Sequence, residues 1–549
     1  MVAASSTVPS MNDASEKDPF NNNCYGTLVD RQYKLVNLPI LDVTDFNERI
    51  IRGYEDGTGE EHLPAELSIA RSLIPAGTAS LRDFSNIAPE IPIYKPENCT
   101  GCMDCVTECP DTAILGKVLS EQEWEQKLQA IPEADREMYK VQWSKTKKYY
   151  EGGAKKNAGV GGMFNIMIDP SKCKGCAECV TVCDDDALKM VAKTDSVMST
   201  ARKSHRLFKN MGPSNEKYIS GNLLIDMMLK EQTHIYTGGA GSCAGCGEGT
   251  ALRMMCAAIG SKHADQWGIV AATGCNTVYT STYPYNPYMV PWTNSLFENA
   301  PTYAIGVRMR WDQMGWKDKP LWVIGGDGAM YDIGFQALSR MFLSGMNIKV
   351  LVLDTQVYSN TGGQASTASF TGQNTKMSVH GKAVFGKQER RKEIAQIAIM
   401  HPHVYVAQTT AAHVNHFYKA VLGAMEFDGP ALVACYTTCQ PEHGVADNMA
   451  GSQARLAVDT RAFPLLVHDP RAGDTLRKRM SLMGNPNMKG DWYINPKTNE
   501  EVTFIDFARS EGRFSKHFDK DGNPSETLLA AKLDRLENWR LLQELAGLR

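Results

Sequence analysis

The sequence predicts an α/β protein in which a doubly wound, mostly parallel sheet follows a small α+β domain. Two observations support this prediction. One cysteine pattern occurs twice between residues 99 and 183, and the segment 320–354 reads as strand, glycine turn, helix and strand. Two strands joined through a helix in this way are typical of a parallel sheet. The 549 residues leave room for three to four domains at roughly 150 residues each.

Composition excludes several classes of protein. Hydrophobic residues make up 43% of the chain, charged residues 22%, and the formal net charge is −4. No basic stretch indicates nucleic-acid binding, and apolar runs such as 348–354 are far shorter than the roughly 20 residues that span a membrane. The N-terminal segment has neither the basic nor the apolar region of an export signal. We therefore expect a cytoplasmic protein with reduced thiols and without a nucleic-acid or membrane partner.

Eight of the fifteen cysteines lie in two copies of the pattern C-x2-C-x2-C-x3-C. In this pattern three closely spaced cysteines hold three corners of one 4Fe-4S cube, and the fourth ligates the other cube. A zinc site uses two CxxC pairs and does not need a third, evenly spaced cysteine. The spacing therefore predicts two clusters with crossed ligation. One is bound by Cys99, Cys102, Cys105 and Cys183, and the other by Cys173, Cys176, Cys179 and Cys109.

The glycine turn at 325–328 is typical of a diphosphate site. Gly326 and Gly328 leave space against a helix N-terminus, whose amides favour anions. Asp327 offers a hard oxygen to Mg²⁺, and the loop after the next strand offers further oxygens from 355–360. The pattern is neither GxGxxG nor a Walker loop, which disfavours a dinucleotide or a nucleoside triphosphate. Thiamine diphosphate with Mg²⁺ fits these residues best.

Four further cysteines lie outside the two repeats. Cys243 and Cys246 form a CxxC pair, and Cys275 and Cys439 stand at the ends of strand-like or loop segments. Their spacing alone leaves three interpretations open, namely a third 4Fe-4S cluster, a zinc site or a redox dithiol.

The motifs together resemble the C-terminal half of the pyruvate:ferredoxin oxidoreductases, within the 2-oxoacid:ferredoxin oxidoreductase family. Besides the double cysteine motif, the sequence contains eight further motifs in the same order as in that family. They are SCAGCGE, ATGC, PWTNSLFEN, GGDGAMYDIGFQAL, LDTQVYSNTGGQAS, GKAVFGK, VYVAQT and GPALVACYTTC. The similarity runs from about Leu73 to SQARLAVDTRAFPLLVHDP, and residues 1–60 show no match.

The resemblance implies roles for individual residues. The ligands of a cluster proximal to the thiamine are matched by Cys243, Cys246, Cys275 and Cys439, with Cys435 as a rival for the last position. The Mg²⁺ ligands are matched by Asp327, Thr355 and Val357, and Glu248 and Asn360 match catalytic positions. The implied thiamine-binding residues are Glu248, Cys275, Gly326, Asp327, Gly328, Ala329, Thr355, Gln356, Val357, Tyr358, Ser359 and Asn360.

The activity implied by the resemblance is oxidative decarboxylation of a 2-oxoacid, with pyruvate as the closest family match, to acyl-CoA and carbon dioxide. Electrons would pass singly through three 4Fe-4S clusters to ferredoxin or flavodoxin. The family's second thiamine-binding domain and its coenzyme A domain are not found in this sequence. We therefore expect a separate partner subunit that supplies both and binds most of coenzyme A, in a dimer of heteromers. The alternative is an electron-transfer polyferredoxin subunit without thiamine chemistry of its own.

The expected domain organisation has four segments. They are an N-terminal tail and arm over 1–60, a connector over 61–95, the two-cluster domain with a long insert over 96–200, and the thiamine diphosphate domain over 201–549. The last of these ends in a helix that begins after Pro524 and Ser525. Its apolar stripe is predicted to pack in the core or to dock on a partner, and consists of Leu529, Leu533, Leu536, Trp539 and Leu542.

An acidic run, Asp184 to Asp186, follows Cys183 directly. Negative charge near a cluster disfavours the addition of an electron. We expect this run to lower the potential of the cluster that Cys183 ligates, unless solvent screens the charge.

Overall fold

The computed structural model describes residues 43–62, 74–238, 241–381 and 384–549. Contacts divide the chain into two units. One contains the described residues up to Arg82 together with Ser281–Asn286, and the other contains Asp83–Thr280 and Pro287–Arg549. The predicted boundaries at residues 95 and 200 lie inside the second unit, and the four-segment division stays a prediction.

The first unit has a small apolar core. Phe46, Ile50 and Ile51 are buried together with Ala79 and Tyr285. Phe46 and Ile50 are four residues apart, which places them on one face of the helical run. The helical segments of this unit are Val43–Asp45, Phe46–Ile51, Arg52–Glu55, Gly59–His62 and Thr78–Leu81.

The second unit contains all the strands that the structure describes. In chain order they are β1 (Glu90–Tyr94), β2 (Ile114–Ser120), β3 (Gly162–Ile168), β4 (Leu188–Ala192), β5 (Gly268–Ala272), β6 (Trp292–Ser295), β7 (Leu321–Gly326), β8 (Lys349–Asp354), β9 (Val379–His380), β10 (Phe385–Gly386), β11 (Tyr405–Thr410), β12 (Ala431–Tyr436), β13 (Leu466–His468), β14 (Met480–Ser481), β15 (Tyr493–Ile494) and β16 (Glu501–Val502).

The helical segments of the second unit vary from single turns to twenty residues. They are Pro96–Asn98, Asp104–Thr107, Glu121–Gln129, Glu133–Lys140, Lys147–Glu151, Gly152–Lys156, Glu178–Thr181, Asp195–Asn210, Glu216–Tyr218, Leu224–Met227, Glu231–Thr233, Gly247–His263, Cys275–Thr280, Ala300–Gln313, Gly328–Ile333, Phe335–Leu343, Ile394–Ile399, Val414–Glu426, Gln440–His443, Ala450–Asp459, Pro470–Ala472, Leu476–Arg479, Phe504–Arg509, Gly512–His517 and Glu526–Leu545. Within the described parts of the chain, none of the helices is long and apolar enough to cross a membrane.

The cysteine repeats lie on two antiparallel ribbons. β1 pairs with β4, and β2 pairs with β3. Each repeat wraps a loop that runs into a one-turn helix, Asp104–Thr107 in the first copy and Glu178–Thr181 in the second. The small α+β domain that the sequence predicts is therefore present.

The large sheet has eight strands in the order β14-β13-β11-β12-β8-β7-β5-β6. All neighbouring strands from β11 through β12, β8, β7 and β5 to β6 are parallel. β13 and β14 add an antiparallel edge beside β11. Alternate residues of β8 face two separate cores, Leu351 and Leu353 one core and Val350 and Val352 the other. Helices cover both faces of this mostly parallel sheet, which confirms the predicted doubly wound fold.

The C-terminal helix, Glu526–Leu545, begins as predicted after Ser525, whose hydroxyl accepts a hydrogen bond from the backbone N–H of Leu528 at 3.3 Å. Trp539 and Leu542 are buried, in agreement with the predicted stripe. Leu529 and Leu533 are 46% and 57% exposed, so the stripe does not form one buried face. The buried face includes Leu528 and Ala531 instead.

Candidate functional site

A cavity lies at the carboxyl ends of β5, β7 and β8. The loops that follow these strands meet there because parallel strands present their carboxyl ends at one edge of the sheet. Its lining consists of Glu248, Thr273, Gly274, Cys275, Phe297, Gly326, Asp327, Gly328, Ala329, Thr355, Val357, Tyr358, Ser359, Asn360 and Thr361. All but one of the predicted thiamine-binding residues therefore line one cavity.

The exception is Gln356. Its backbone has a φ of 58°, and its buried side chain donates from Nε2 to Oδ1 of Asp354 at 3.0 Å. Its Oε1 accepts a hydrogen bond from Nη2 of Arg513, also at 3.0 Å. The side chain of Gln356 thus supports the loop from inside and does not line the cavity.

Glycine is needed at 328, where the loops come together. A Cβ at Gly328 would lie 2.3 Å from the ring of Tyr358, whereas a Cβ at Gly326 would meet only one atom, at 3.9 Å. The open space beside Gly326 suits a bulky anion, and the backbone turns into the helical segment Gly328–Ile333 at this point.

Three oxygen atoms converge on one side of the cavity. Oγ1 of Thr355 lies 3.0 Å from Oδ1 of Asp327 and 3.0 Å from the carbonyl oxygen of Val357. Mg²⁺ at about 2.0–2.1 Å from each ligand places neighbouring octahedral ligands about 2.9 Å apart. The spacing and the hard-oxygen chemistry of this set fit a Mg²⁺ ion.

The Asp327 carboxyl is buried and lies near a second buried acid. Burial, followed by the negative charge of Asp354, raises the pKa of Asp327 to about 7. Hydrogen bonds from Ser366 and Thr355 act in the opposite direction and lower this pKa. A cation beside the carboxylate would lower this pKa again, because an opposite charge favours the ionised form.

Glu248 lies in the first turn of the helix Gly247–His263 and is buried. Burial, followed by the charge of Asp327, raises the pKa of Glu248 to about 8, and the Tyr279 hydroxyl donates to its Oε2 at 3.4 Å. A carboxyl group whose pKa is raised in this way can exchange a proton with a bound ligand near neutral pH.

The third group of cysteines meets the same cavity. Cys275 lines it, and after burial and the charge of Glu248, the nearby sulfurs of Cys246, Cys439 and Cys243 raise the pKa of Cys275 further. Burial raises the pKa of Cys439 to about 11. Cys435 is fully buried within β12, and its thiol donates to the carbonyl of Tyr436 at 3.5 Å. The fold therefore places Cys439, and not Cys435, with the other three.

The two repeats form two further cysteine groups. The lining of a second cavity includes four cysteine side chains, those of Cys99, Cys102, Cys105 and Cys183. Cys109 raises the pKa values of Cys173, Cys176 and Cys179 through its charge, after the larger effect of burial. The sulfurs are thus grouped as crossed ligation requires, and their binding of two clusters stays a prediction.

Within the described ranges, no group of three or more His, Cys, Asp or Glu side chains is arranged around a single metal ion. A 4Fe-4S cube does not require such an arrangement, because its cysteines bind separate iron atoms at different corners.

A lysine joins the second cluster loop to the third group of cysteines. Lys174, between Cys173 and Cys176, donates from Nζ to the carbonyl oxygen of Ser242 at 2.5 Å and to its hydroxyl at 2.7 Å. The same Nζ lies 3.4 Å from Oδ1 of Asp111. Sequence reasoning missed this residue, although a charged side chain inside a cluster loop was a visible signal.

Comparisons with known proteins agree with this geometry. Residues 272–435 match the family described as "Thiamine pyrophosphate enzyme, C-terminal TPP binding domain", and residues 166–189 match "4Fe-4S binding domain". The thiamine match begins at the last residue of β5 and contains β7 and β8, and the 4Fe-4S match contains the second cysteine repeat.

Curated relatives are similar over most of this chain. A "Probable pyruvate-flavodoxin oxidoreductase" of Escherichia coli is 28% identical over 92% of this chain and 45% of its own length. The "Pyruvate:ferredoxin oxidoreductase" of Moorella thermoacetica is 26% identical over 92% of this chain and 46% of its own. The chain thus spans about half the length of these relatives.

Among solved structures, a 2-oxoglutarate:ferredoxin oxidoreductase from Magnetococcus marinus matches with a TM-score of 0.32 at 21% identity. The match covers 38% of this chain and 66% of the other.

Proposed function

We propose that this chain, a member of the pyruvate:ferredoxin/flavodoxin oxidoreductase family, is the subunit of a 2-oxoacid oxidoreductase that carries the thiamine and three 4Fe-4S clusters. Its substrate is pyruvate, its products are acyl-CoA and carbon dioxide, and its electron acceptor is ferredoxin or flavodoxin. The names of the relatives, which are pyruvate oxidoreductases with flavodoxin or ferredoxin, support this choice.

The observation that carries the proposal is the position of Cys275. This residue lines the proposed thiamine cavity and also belongs to the group of Cys243, Cys246 and Cys439. A cluster held by these four cysteines adjoins the cofactor and can take electrons from it. A thiamine enzyme without redox chemistry has no use for this arrangement.

In the proposed site, Asp327, Thr355 and Val357 hold Mg²⁺, and the turn at 326–329 receives the diphosphate. Bound thiamine diphosphate supplies the electron sink that makes loss of carbon dioxide feasible. Glu248 holds a proton within the cavity, and Asn360 positions the substrate by hydrogen bonds.

The proposed electron path continues through the Lys174–Ser242 contact, which joins the loop of Cys243 to that of Cys173 and Cys176. The cluster of Cys109, Cys173, Cys176 and Cys179 comes next. The last cluster adjoins solvent, because its ligand Cys102 is exposed. An external carrier can receive electrons there.

The proposed partner subunit covers the open side of the thiamine cavity and brings the coenzyme A domain, in a dimer of heteromers. Exposed apolar side chains support a protein contact on this side. Leu296, next to the cavity residue Phe297, is 59% exposed, and Ile333 is 50% exposed. Their segments adjoin, since a Cβ at Gly334 would lie 2.9 Å from the carbonyl oxygen of Phe297.

The test is anaerobic reduction of ferredoxin or flavodoxin by the chain purified with its native partner, in the presence of Mg²⁺, thiamine diphosphate and coenzyme A. Pyruvate should give the fastest reduction among pyruvate, 2-oxoglutarate and branched 2-oxoacids, and the chain alone should give none. Faster reduction with another oxoacid would refute pyruvate as the substrate. A complex that holds its clusters but binds no thiamine would instead be the electron-transfer polyferredoxin.

A further inference from the structure

Arg253 is a buried cation in the helix Gly247–His263, with only 4% of its surface exposed. Its guanidinium donates from Nη1 to the carbonyl oxygens of Val106 and of Cys109, the latter at 2.9 Å. It also donates from Nη2 to the carbonyl oxygen of Ile114 at 3.1 Å. All three acceptors lie in or just after the first cysteine repeat.

Among the described residues, no carboxylate lies within ion-pair distance of Arg253. Asp111 is the one acid among its electrostatic neighbours, and Asp111 already forms an ion pair with Lys174 at 3.4 Å. An arginine cannot lose its charge inside a protein, and a buried charge is costly unless an opposite charge compensates it.

The stronger electrostatic neighbours of Arg253 are two cysteine sulfurs. Burial lowers the pKa of Arg253, and the nearby sulfurs of Cys109 and then Cys105 raise it. By the crossed assignment these two cysteines ligate different clusters. The guanidinium therefore lies beside the short segment that runs from a ligand of one cluster to a ligand of the other.

We propose that Arg253 is the buried counter-ion of the two ferredoxin-like clusters, raising their reduction potentials by its charge and holding the Val106–Cys109 segment between them. This inference rests on the two-cluster part of the proposed function and not on the 2-oxoacid reaction. Arg253 touches neither substrate nor cofactor in this role and is a positioning residue.

The sign of the effect follows from charge. Each cluster becomes more negative by one unit when it takes up one electron, and a nearby buried cation stabilises that state. Removal of the cation lowers the potential. The cluster of Cys109, Cys173, Cys176 and Cys179 should move further, because Arg253 hydrogen-bonds the backbone of Cys109 itself.

The experiment compares R253Q, R253K and the wild-type full-length chain by anaerobic redox titration with dithionite, followed by EPR. We expect R253Q to shift both potentials to more negative values, the Cys109 cluster more. R253K keeps the charge but cannot make all three carbonyl contacts, and should shift them less.

The matched control is R461Q. Arg461 is also buried and donates from Nη2 to the carbonyl oxygens of Pro486 at 2.6 Å and Asn487 at 3.1 Å. Like R253Q, R461Q removes a buried guanidinium that donates hydrogen bonds to carbonyl groups. It should lower the thermal midpoint without moving either cluster potential.

Unshifted potentials in Arg253 variants that retain the iron of both clusters would overturn the proposal, as would equal shifts in R253K and R253Q. Loss of cluster iron in R253Q but not in R253K or R461Q would support the counter-ion role, whereas equal loss in R253Q and R253K would overturn it. A wild-type chain without about eight ferredoxin-like iron atoms would instead refute the cluster content on which the inference rests. Because dithionite supplies the electrons, a failure of the 2-oxoacid reaction leaves the measurement intact.

Discussion

Oδ2 of Asp354 lies 2.5 Å from Nη2 of Arg391, and both side chains are essentially inaccessible to solvent. Asp354 is the last residue of β8, and its Oδ1 also accepts the backbone N–H of Gln356 at 3.2 Å. This ion pair therefore anchors the start of the loop that carries Thr355, Val357 and Asn360.

We expect Asp354→Asn to lower the free energy of unfolding by about 3–5 kcal/mol, because removal of one partner leaves a buried charge uncompensated. Chemical denaturation monitored by circular dichroism measures the change. The control is E537Q, which breaks the exposed Arg390–Glu537 pair and should cost less than about 1 kcal/mol. Equal effects of the two variants would contradict an anchoring role for Asp354.

The proximal cluster provides the second prediction. Cys439→Ala should reduce iron by about four atoms per chain, from about twelve, whereas Cys435→Ala should leave the iron content unchanged. The reason is that Cys439 lies with Cys243, Cys246 and Cys275, while Cys435 faces the core from β12. Anaerobic iron and sulfide analysis checks both variants. Loss of iron in Cys435→Ala but not in Cys439→Ala would show that Cys435, and not Cys439, is the fourth ligand of the proximal cluster.

The third prediction concerns the metal. Asp327→Asn should weaken Mg²⁺-dependent thiamine diphosphate binding by roughly tenfold or more, because an amide no longer offers a charged oxygen to the ion. Anaerobic titration calorimetry with and without Mg²⁺ measures it, and iron content should not change. Asp332→Asn is the control, since Asp332 hydrogen-bonds Tyr358 and Thr367 but does not line the cavity. Unchanged affinity in Asp327→Asn would mean that the GDG segment serves only as a turn.

The acidic run after Cys183 leads to the fourth prediction. Asp184 and Asp185 are both exposed, but only Asp185 lines the cavity of Cys99, Cys102, Cys105 and Cys183, where it accepts a hydrogen bond from Thr100 at 2.7 Å. Asp185→Asn should raise the potential of this cluster, because a negative charge near it disfavours reduction. Asp184→Asn should raise it less, and the other ferredoxin-like cluster should not move in either variant. EPR-monitored titration distinguishes these outcomes, and a larger effect of Asp184→Asn would contradict the placement of Asp185.

The fifth prediction is a pH dependence of stability. Burial lowers the pKa of His413 and of His416 from 6.5 to about 4. The unfolded chain takes up these protons below pH 6.5 and the folded chain only near pH 4. Stability is therefore fully present above pH 6.5 and falls by up to about 1.4 kcal/mol per pH unit for each histidine as the pH drops towards 4.

The histidine effect is measured as a double difference. Thermal midpoints of the wild type and of His416→Gln are compared at pH 7.5 and 5.5, so that cluster loss in acid affects both proteins alike. The variant should lose less stability than the wild type on acidification. An equal loss in the two proteins would show that His416 does not take up its proton on unfolding in this range.

The sequence by itself determined the features that depend on local spacing. The repeated cysteine pattern predicted the two crossed sets, because a tight loop dictates which sulfurs can share a cube. The turn at 325–328, followed in the loop after the next strand by Thr355 and Val357, predicted a parallel sheet with a ligand site at its carboxyl edge. Both features follow from residues close together in the chain or on adjacent strands.

Only the tertiary structure decided the features that depend on long-range packing. The resemblance already favoured Cys439 over Cys435, and the structure adds the physical reason, because the alternation of side chains along β12 turns Cys435 into the core and leaves Cys439 beyond the strand end. Gln356 is drawn inward by Asp354 and Arg513, and Leu529 is left exposed by the way the last helix packs. Arg253 gains its position from a helix more than a hundred residues after the cluster loop it contacts. Such placements arise from the packing of distant segments, which local spacing does not encode.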